Sequence, residues 1–297
     1  MKAAPFAYHR PDSTAEAASL LGELGEDAKI LAGGQSLVPM LAMRLTHFEN
    51  LIDISRVEEL RNIELRDDAV WIGAGTPHAL VGMDDEVAES VPLLTLATPH
   101  IGHFQIRTRG TLGGAIAHAD PAAEYAAAAL ALDAEIEATS TRGTRRIPAA
   151  RFFTGLWETA LAADEILTAV AFPVWSGRCG FSVHEFARRH GDFAIAGATL
   201  AVQLDDQDRV SRCGIGLLGM GSTPERGIPA ESAVLGRHVT DITAEEVGRL
   251  AVSALEDIPA DLQGTPAYRA KVCATMVARA WTEAITAALE TTEAVHA

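Results

Sequence analysis

Apolar and polar positions alternate along the chain in two periods, and the switches between them mark the elements. Ser13 and Glu16 form a capping box at the head of STAEAASLLGEL, whose Leu20, Leu21 and Leu24 share one helical face. Gly25 stops that helix. Ala28–Leu31 reads as a short buried strand running straight into AGGQ, and SLVPMLAMRL, from Ser36, reads as a helix with Pro39 in its tolerant first turn. Strands follow at Asn50–Ile54 and Ala69–Ala74, then a helix over Leu93–Ile101 and an alanine-rich helix opened by Pro121 and reaching about Leu132. Glu135–Thr139 and Arg145–Ile147 alternate as strands joined at Arg142–Gly143, and Ile166–Phe172 is a strand ended by Pro173.

PVWSGRCG, from Pro173 to Gly180, is the expected domain boundary, giving units 1–175 (subdivided near 55) and 176–297. Beyond it, Phe181–Arg188 and Gly197–Leu204 read as strands. DDQD makes a turn, and Val210–Leu218 pairs back as a hairpin. Helices are expected at about Ala230–Leu235, Ala244–Leu255 and Pro266–Leu289, the last with Tyr268, Val272, Met276 and Trp281 on a packing stripe.

Two stretches interrupt this pattern with glycine pairs: AGGQSL at Ala32–Leu37 and TLGGAIAHADPAAEY at Thr111–Tyr125. Glycine permits φ > 0 and close approach of backbone to a ligand. Successive free N–H groups in such bends cradle anions, so two cradles together could grip a diphosphate. Other motifs carry less. The literal G-x-G-x-x-G at Gly214–Gly219 lies in a hairpin strand, not before a helix, and reads as tight β-packing. His100 and His103 stand at i, i+3, but Gly102 between them weakens a helix and nothing fixes a third ligand, so with His118 and Asp120 they read as hydrogen-bonding groups around a pocket. Asp164–Glu165 and Asp205–Asp206 read as turns. Arg107, Arg109, Arg188 and Arg189 are surface charges by default, one or two of which could balance a pyrophosphate.

The chain has 297 residues, enough for two or three domains, and a formal net charge of −16, which argues against nucleic-acid or anionic-membrane binding. MKAAPFAYHR lacks a signal-peptide core, and the longest apolar run, Ala126–Leu132, is too short to span a bilayer. A cytoplasmic chain is expected, with attachment at the inner face of a membrane through a partner left open. Cys179, Cys213 and Cys273 are scattered, so this chain alone builds no iron–sulfur cluster, and buried, inert thiols are expected.

AGGQSL and TLGGAIAHADPAAE, with PFAYHRPDSTAEAASLL, IGHFQIRTRGTLGG, DEIL, RRHGDFAIAG and PAYRAKV, resemble the FAD-binding medium subunit of molybdenum hydroxylases over nearly the whole chain. The likeness is closer to the separate-subunit, carbon-monoxide-dehydrogenase branch than to the fused xanthine dehydrogenases. It implies an α+β chain: a two-part FAD-binding domain of the vanillyl-alcohol-oxidase/PCMH type, then a small antiparallel sheet with helices. It implies that Ala32, Gly33, Gly34, Gln35, Ser36 and Leu37 form the first FAD loop, and Thr111, Leu112, Gly113, Gly114 and Ala115 the second. Ile101 and Gly102 would line the flavin ring. His118, Asp120 and Glu124 would bond the ribityl and adenosine parts, and Ile166 or Leu167 would cover the flavin or adenine. Many relatives carry Asn or Ser at the position of Ala115, and some a lysine near that of His184. The resemblance further implies a large subunit with a molybdenum cofactor, a small subunit with two [2Fe–2S] clusters, a dimer of heterotrimers and an external electron acceptor. A free-standing flavin reductase or oxidase of the same fold, and a scaffold without flavin, are the competing readings.

Overall fold

A computed structural model describes residues 2–295. The chain begins with β1 (Ala7–His9), α1 (Thr14–Leu24), β2 (Ala28–Leu31), α2 (Leu37–Met43) and β3 (Asn50–Asp53), whose strands form a parallel sheet in the order β1-β3-β2. β1 was not foreseen. The capping box forms: Ser13 Oγ accepts from the Glu16 N–H at 3.1 Å, and Glu16 Oε2 accepts from the Asp12 N–H at 2.9 Å. Gly25 ends α1 at φ +61°. The buried side is Ala17, Ala18 and Leu21, packed on Ile52, Ile54 and Val57, while Leu20 and Leu24 lie at its margin.

Next come β4 (Ile63–Arg66), β5 (Ala69–Gly73), α3 (His78–Val81), α4 (Asp85–Ser90), α5 (Pro92–Ala97), α6 (Phe104–Arg107), α7 (Leu112–His118) and α8 (Glu124–Ala131). They are followed by β6 (Glu135–Ser140), β7 (Gly143–Pro148), β8 (Phe153–Gly155), β9 (Glu158–Thr159) and β10 (Ile166–Pro173). Five of these strands make an antiparallel sheet in the order β4-β5-β10-β6-β7. Leu93, Leu94, Leu112, Ile116 and Tyr125 pack on its Val70, Ile72, Ile136, Val170 and Phe172. The helix expected over Leu93–Ile101 is shorter: α5 ends at Ala97, and a 3₁₀ turn carrying Pro99 takes the chain to an extended Ile101. Pro121 does not open α8. The helix starts at Glu124, after a turn in which Asp120 Oδ1 accepts from the Ala122 N–H at 2.8 Å.

The remainder comprises β11 (Arg178–Phe186), β12 (Ala196–Leu204), β13 (Val210–Leu218), β14 (Glu225–Arg226), α9 (Ile228–Val234), α10 (Ala244–Ala251) and α11 (Pro266–Val295). The sheet is antiparallel in strand order. DDQD turns the hairpin, with Asp205 Oδ1 accepting from the Gln207 and Arg209 N–H groups. One face of the sheet carries α11, where a Cβ on Gly180 would lie 2.7 Å from the Ala284 carbonyl carbon. The other face carries α8: a Cβ on Gly214 or Gly216 would lie 2.8 Å or 2.6 Å from the carbonyl carbon of Ala131 or Ala127. The glycines of the G-x-G-x-x-G motif thus serve helix-on-strand packing. The stripe of α11 is centred differently from expectation. Cys273, Val277, Ala280, Ala284 and Ala288 are buried with Met276 and Trp281, whereas Tyr268 is 43% exposed. Cys213 and Cys273 are buried free thiols, and Cys179 is half-buried.

Candidate flavin-binding site

The first glycine pair behaves as a cradle. Leu31 ends β2, Gly34 takes φ +71°, and Leu37 begins α2. Among the described residues, the N–H groups of Gly33, Gly34, Gln35, Ser36 and Leu37 have no acceptor, while Gln35 Nε2 donates back to the Gly33 carbonyl at 3.1 Å. Ala32 through Leu37 all keep part of their surface open. Five consecutive free donors at the start of a helix form an anion site by geometry and by dipole.

The second glycine pair corrects the expectation of a matching cradle. Gly113 and Gly114 lie inside α7, neither at positive φ. All four N–H groups of the first turn are spent. Leu112 donates to Thr76 O and Gly113 to Ala74 O, each at 3.0 Å; Gly114 donates to Thr111 Oγ1 at 3.1 Å, and Ala115 to Thr111 O at 3.0 Å. The glycines are needed for proximity instead. A Cβ on Gly113 would lie 2.5 Å from the Ala74 Cα.

The two stretches nevertheless meet. A Cβ on Gly33 would overlap the Arg109 carbonyl oxygen and lie 2.6 Å from the Gly110 Cα, and one on Gly114 would reach Ala32 Cβ at 3.5 Å. A buried wedge, His78, holds the second stretch from behind. Its N–H donates to Gly110 O at 2.9 Å, and its ring packs edge-on against Tyr125. Burial lowers the His78 pKa to about 4, with Arg107 assisting, so the ring is neutral. Nothing in the sequence marked His78.

The other expected residues fall around this meeting point. Gly102, at φ +49°, turns the chain after Ile101, and Arg107 fastens that turn through Ile101 O at 3.1 Å and Gly102 O at 2.9 Å. Arg107 is thereby committed to carbonyls and not to a phosphate. His118, at the end of α7, stacks on Trp157 at 6.1 Å and stands 4.0 Å from Asp120 Oδ2. Burial lowers its pKa, Asp120 opposes, and Lys29 of β2 adds to the lowering. Glu124 sits deep among its neighbours while part of its surface stays open, and burial above all, then the charges of Glu185 and Asp120, pushes its pKa up to about 8. Ile166 and Leu167 are 1% and 4% exposed, spent on two hydrophobic cores with almost no surface left for a ligand. His184 faces α11, where its Nε2 lies 2.7 Å from Glu283. Among the described residues, no three His, Cys, Asp or Glu side chains gather as metal ligands.

The donor set fits the cofactor implied by the resemblance: an anion cradle for a diphosphate, a glycine-lined wall without side chains, and polar groups beyond it. Comparison with known proteins agrees. The model of the FAD binding domain in molybdopterin dehydrogenase matches residues 4–175, and that of the CO dehydrogenase flavoprotein C-terminal domain matches residues 181–284. The chain is 40% identical to the 6-hydroxypseudooxynicotine dehydrogenase complex subunit alpha of Paenarthrobacter nicotinovorans, covering 99% of each. It is 35% identical to the caffeine dehydrogenase subunit beta of Pseudomonas sp. (strain CBB1), over 94% of this chain and 95% of that one. A solved carbon monoxide dehydrogenase chain from Hydrogenophaga pseudoflava superimposes with a TM-score of 0.92 at 35% identity, over 97% of this chain and 99% of that one. Matched across both of its halves, the chain belongs to the family of FAD-binding medium subunits of molybdenum hydroxylases.

Proposed function

We propose that this chain holds FAD where its two glycine-rich stretches meet and serves as the electron-transfer subunit of a three-component molybdenum hydroxylase. The observation that carries the placement is the contact of Gly33 with Arg109 and Gly110, beside five unsatisfied N–H groups. Ala32, Gly33, Gly34, Gln35, Ser36 and Leu37 would bind the diphosphate through backbone donors. Gly114 and Ala115 would form the closely approaching wall, fixed from behind by buried Thr111, which caps α7, and by Gly113, pressed on Ala74; Ile101 and Gly102 would flank the ring, and His118, Asp120 and Glu124 would bond the hydroxyl-bearing parts. Ile166 and Leu167 act at one remove, by fixing β10 in both cores.

Bound FAD supplies two-electron redox chemistry that can also proceed in single steps; the protein supplies binding, orientation and tuning. The side chains around the cradle bind and exclude water, and none is assigned as nucleophile or general base. Electrons would come from two [2Fe–2S] clusters on a small subunit, filled from a large subunit with the molybdenum cofactor, and leave to an external acceptor. The assembly we favour is a dimer of heterotrimers. The functional units are 1–175 and 176–297, the first divided near 55. The relatives carry the names of different substrates, which supports our reading that the large subunit chooses the substrate. Among the described residues no helix is long and apolar enough to cross a membrane, and a cytoplasmic location is our reading. Co-expression with the neighbouring genes, followed by light scattering of the purified product, tests the assignment. A heterotrimer or its dimer is expected; a lone, fully active monomer would overturn it.

A further inference from the structure

The β8–β9 hairpin closes through an unusual residue. Gly155 and Glu158 pair across it, so Leu156 and Trp157 form its two-residue turn. Trp157 takes φ +58°. The second position of a turn with a left-handed residue normally goes to Gly or Asn, which meet little steric resistance there. Of the described non-glycine residues at positive φ, Trp157 is the only aromatic one. Burial does not account for it: Trp157 is 50% exposed and Leu156 54%. A bulky side chain held in this conformation at an open tip points to a role outside the hairpin.

What the indole meets is His118. The two rings are nearly parallel, at 10°, with centroids 6.1 Å apart. His118 ends α7, four residues after Gly114. Residues at i and i+4 share a helical face, about one 5.4 Å turn apart. Gly114 is the position of α7 that faces the first cradle: a Cβ there would reach Ala32 Cβ at 3.5 Å. Cα–Cβ bonds in a helix tilt toward its N-terminus, so the His118 side chain leaves its backbone in the direction of Gly114. The His118–Trp157 pair therefore stands about one turn beyond the start of the cradle, along the wall that α7 presents to it. A flat aromatic surface at that remove from a diphosphate grip suits a purine base, with the ribose bridging the gap. The flavin ring is assigned to the turn at Ile101 and Gly102, which leaves the purine for this shelf.

We infer that Trp157 is a further cofactor-binding residue: its indole, backed by His118, stacks on the adenine of FAD and makes the site prefer the dinucleotide over FMN. The inference rests on the FAD reading above. The hairpin holds the indole out at its tip against the local backbone preference, and the ligand supplies the contact that the open half of the ring lacks.

Fluorescence of the flavin-free full chain tests this without an activity assay. Of its four tryptophans, Trp71, Trp175 and Trp281 are buried at 7%, 7% and 3% exposure, so quenching by acrylamide reports on Trp157. ADP, which carries adenine and a diphosphate but no flavin, should shield that emission, and FMN should not. Trp157→Ala should weaken FAD and ADP binding roughly 5- to 150-fold and leave FMN binding unchanged, and Trp157→Phe should restore most of the loss. Trp157→Gly should bind as poorly as the alanine variant yet melt no lower than the native chain, because glycine takes positive φ freely; a purely structural tryptophan would behave in the opposite way. Native FAD affinity in Trp157→Ala, an equal loss for FMN, or emission that ADP leaves unshielded would overturn the proposal. Flavin content of the native chain separates the two readings: bound FAD with an unshielded indole defeats the shelf alone, whereas a folded chain that takes up no FAD defeats the cofactor reading and the shelf with it. Should a variant misfold, as circular dichroism would report, shielding in the native chain decides.

Discussion

Replacing Gly33 by alanine adds one methyl group where two loops already touch. The new Cβ would overlap the Arg109 carbonyl oxygen and lie 2.6 Å from the Gly110 Cα and 2.8 Å from the Arg109 carbonyl carbon. Comfortable carbon–carbon contact begins near ~3.5 Å, so the stretches must part by roughly 1 Å. Gly33 is not at positive φ, so alanine brings steric conflict without a left-handed backbone penalty. Overpacking of this kind costs about 1–3 kcal/mol. The flavin-free chain can relieve it by letting the loops separate, and the cost then falls on binding. At about 1.4 kcal/mol per tenfold, FAD affinity should drop roughly 5- to 150-fold. Fluorescence titration of the flavin-free chain measures the affinity, and thermal melting of the same protein should be little changed. Gly114→Ala should lose less, because its methyl meets only Thr111 Oγ1 at 2.9 Å and Ala32 at an ordinary 3.5 Å. Native affinity in Gly33→Ala would refute the reasoning.

Other outcomes follow from neighbouring contacts. Thr111→Val removes the acceptor for the Gly114 N–H and should cost about 1 kcal/mol in denaturant unfolding, recovered by Thr111→Ser; an unaltered unfolding midpoint would show the cap to be idle. Glu124, neutral in the fold to about pH 8, binds a proton that the unfolded chain releases above its ordinary pKa of 4.5, so its contribution falls as pH rises between those values. Glu124→Gln should therefore flatten the decline of the flavin-free chain's melting temperature over that interval; an unchanged slope would refute this. His78 has the opposite sign: with a folded pKa near 4 against 6.5 unfolded, it costs stability as pH falls from 6.5 toward 4, and His78→Phe should blunt that acid-side loss in the same melts. Gly214→Ala would press a methyl on the α8 backbone at Ala131 and should lower stability by about 1–3 kcal/mol, read by denaturant unfolding; native stability would remove the packing role assigned to the motif.

Local chemistry made much of the fold legible. The capping box, the strand before AGGQ and the Val210–Leu218 hairpin each declare themselves within a dozen residues. What escaped was set by distant partners. Gly113 and Gly114 read as a turn because glycine is a poor helix former, yet Ala74 demands their lack of a side chain and Thr111 caps the helix they join. The second stretch therefore lends proximity and not free donors. β4 and β1 are short edge strands whose pairing comes from β5 and β3. His78 and Trp157 carry no motif at all. Trp157 looks like any apolar residue between two strands, and only its place against His118 distinguishes it. The position of the apolar stripe on α11 shifted because Gly180 and Gly248 bring their strand and helix against its small residues.

The central claim is that the free amides of Gly33–Leu37, closed off by the second stretch, grip FAD. Acid extraction of the purified full-length chain, followed by chromatography of the released flavin against protein concentration, measures this directly. One FAD per chain is predicted, falling sharply in Gly33→Ala. A chain that folds and yields no flavin, or one that keeps a full complement of FAD in that variant, would contradict it.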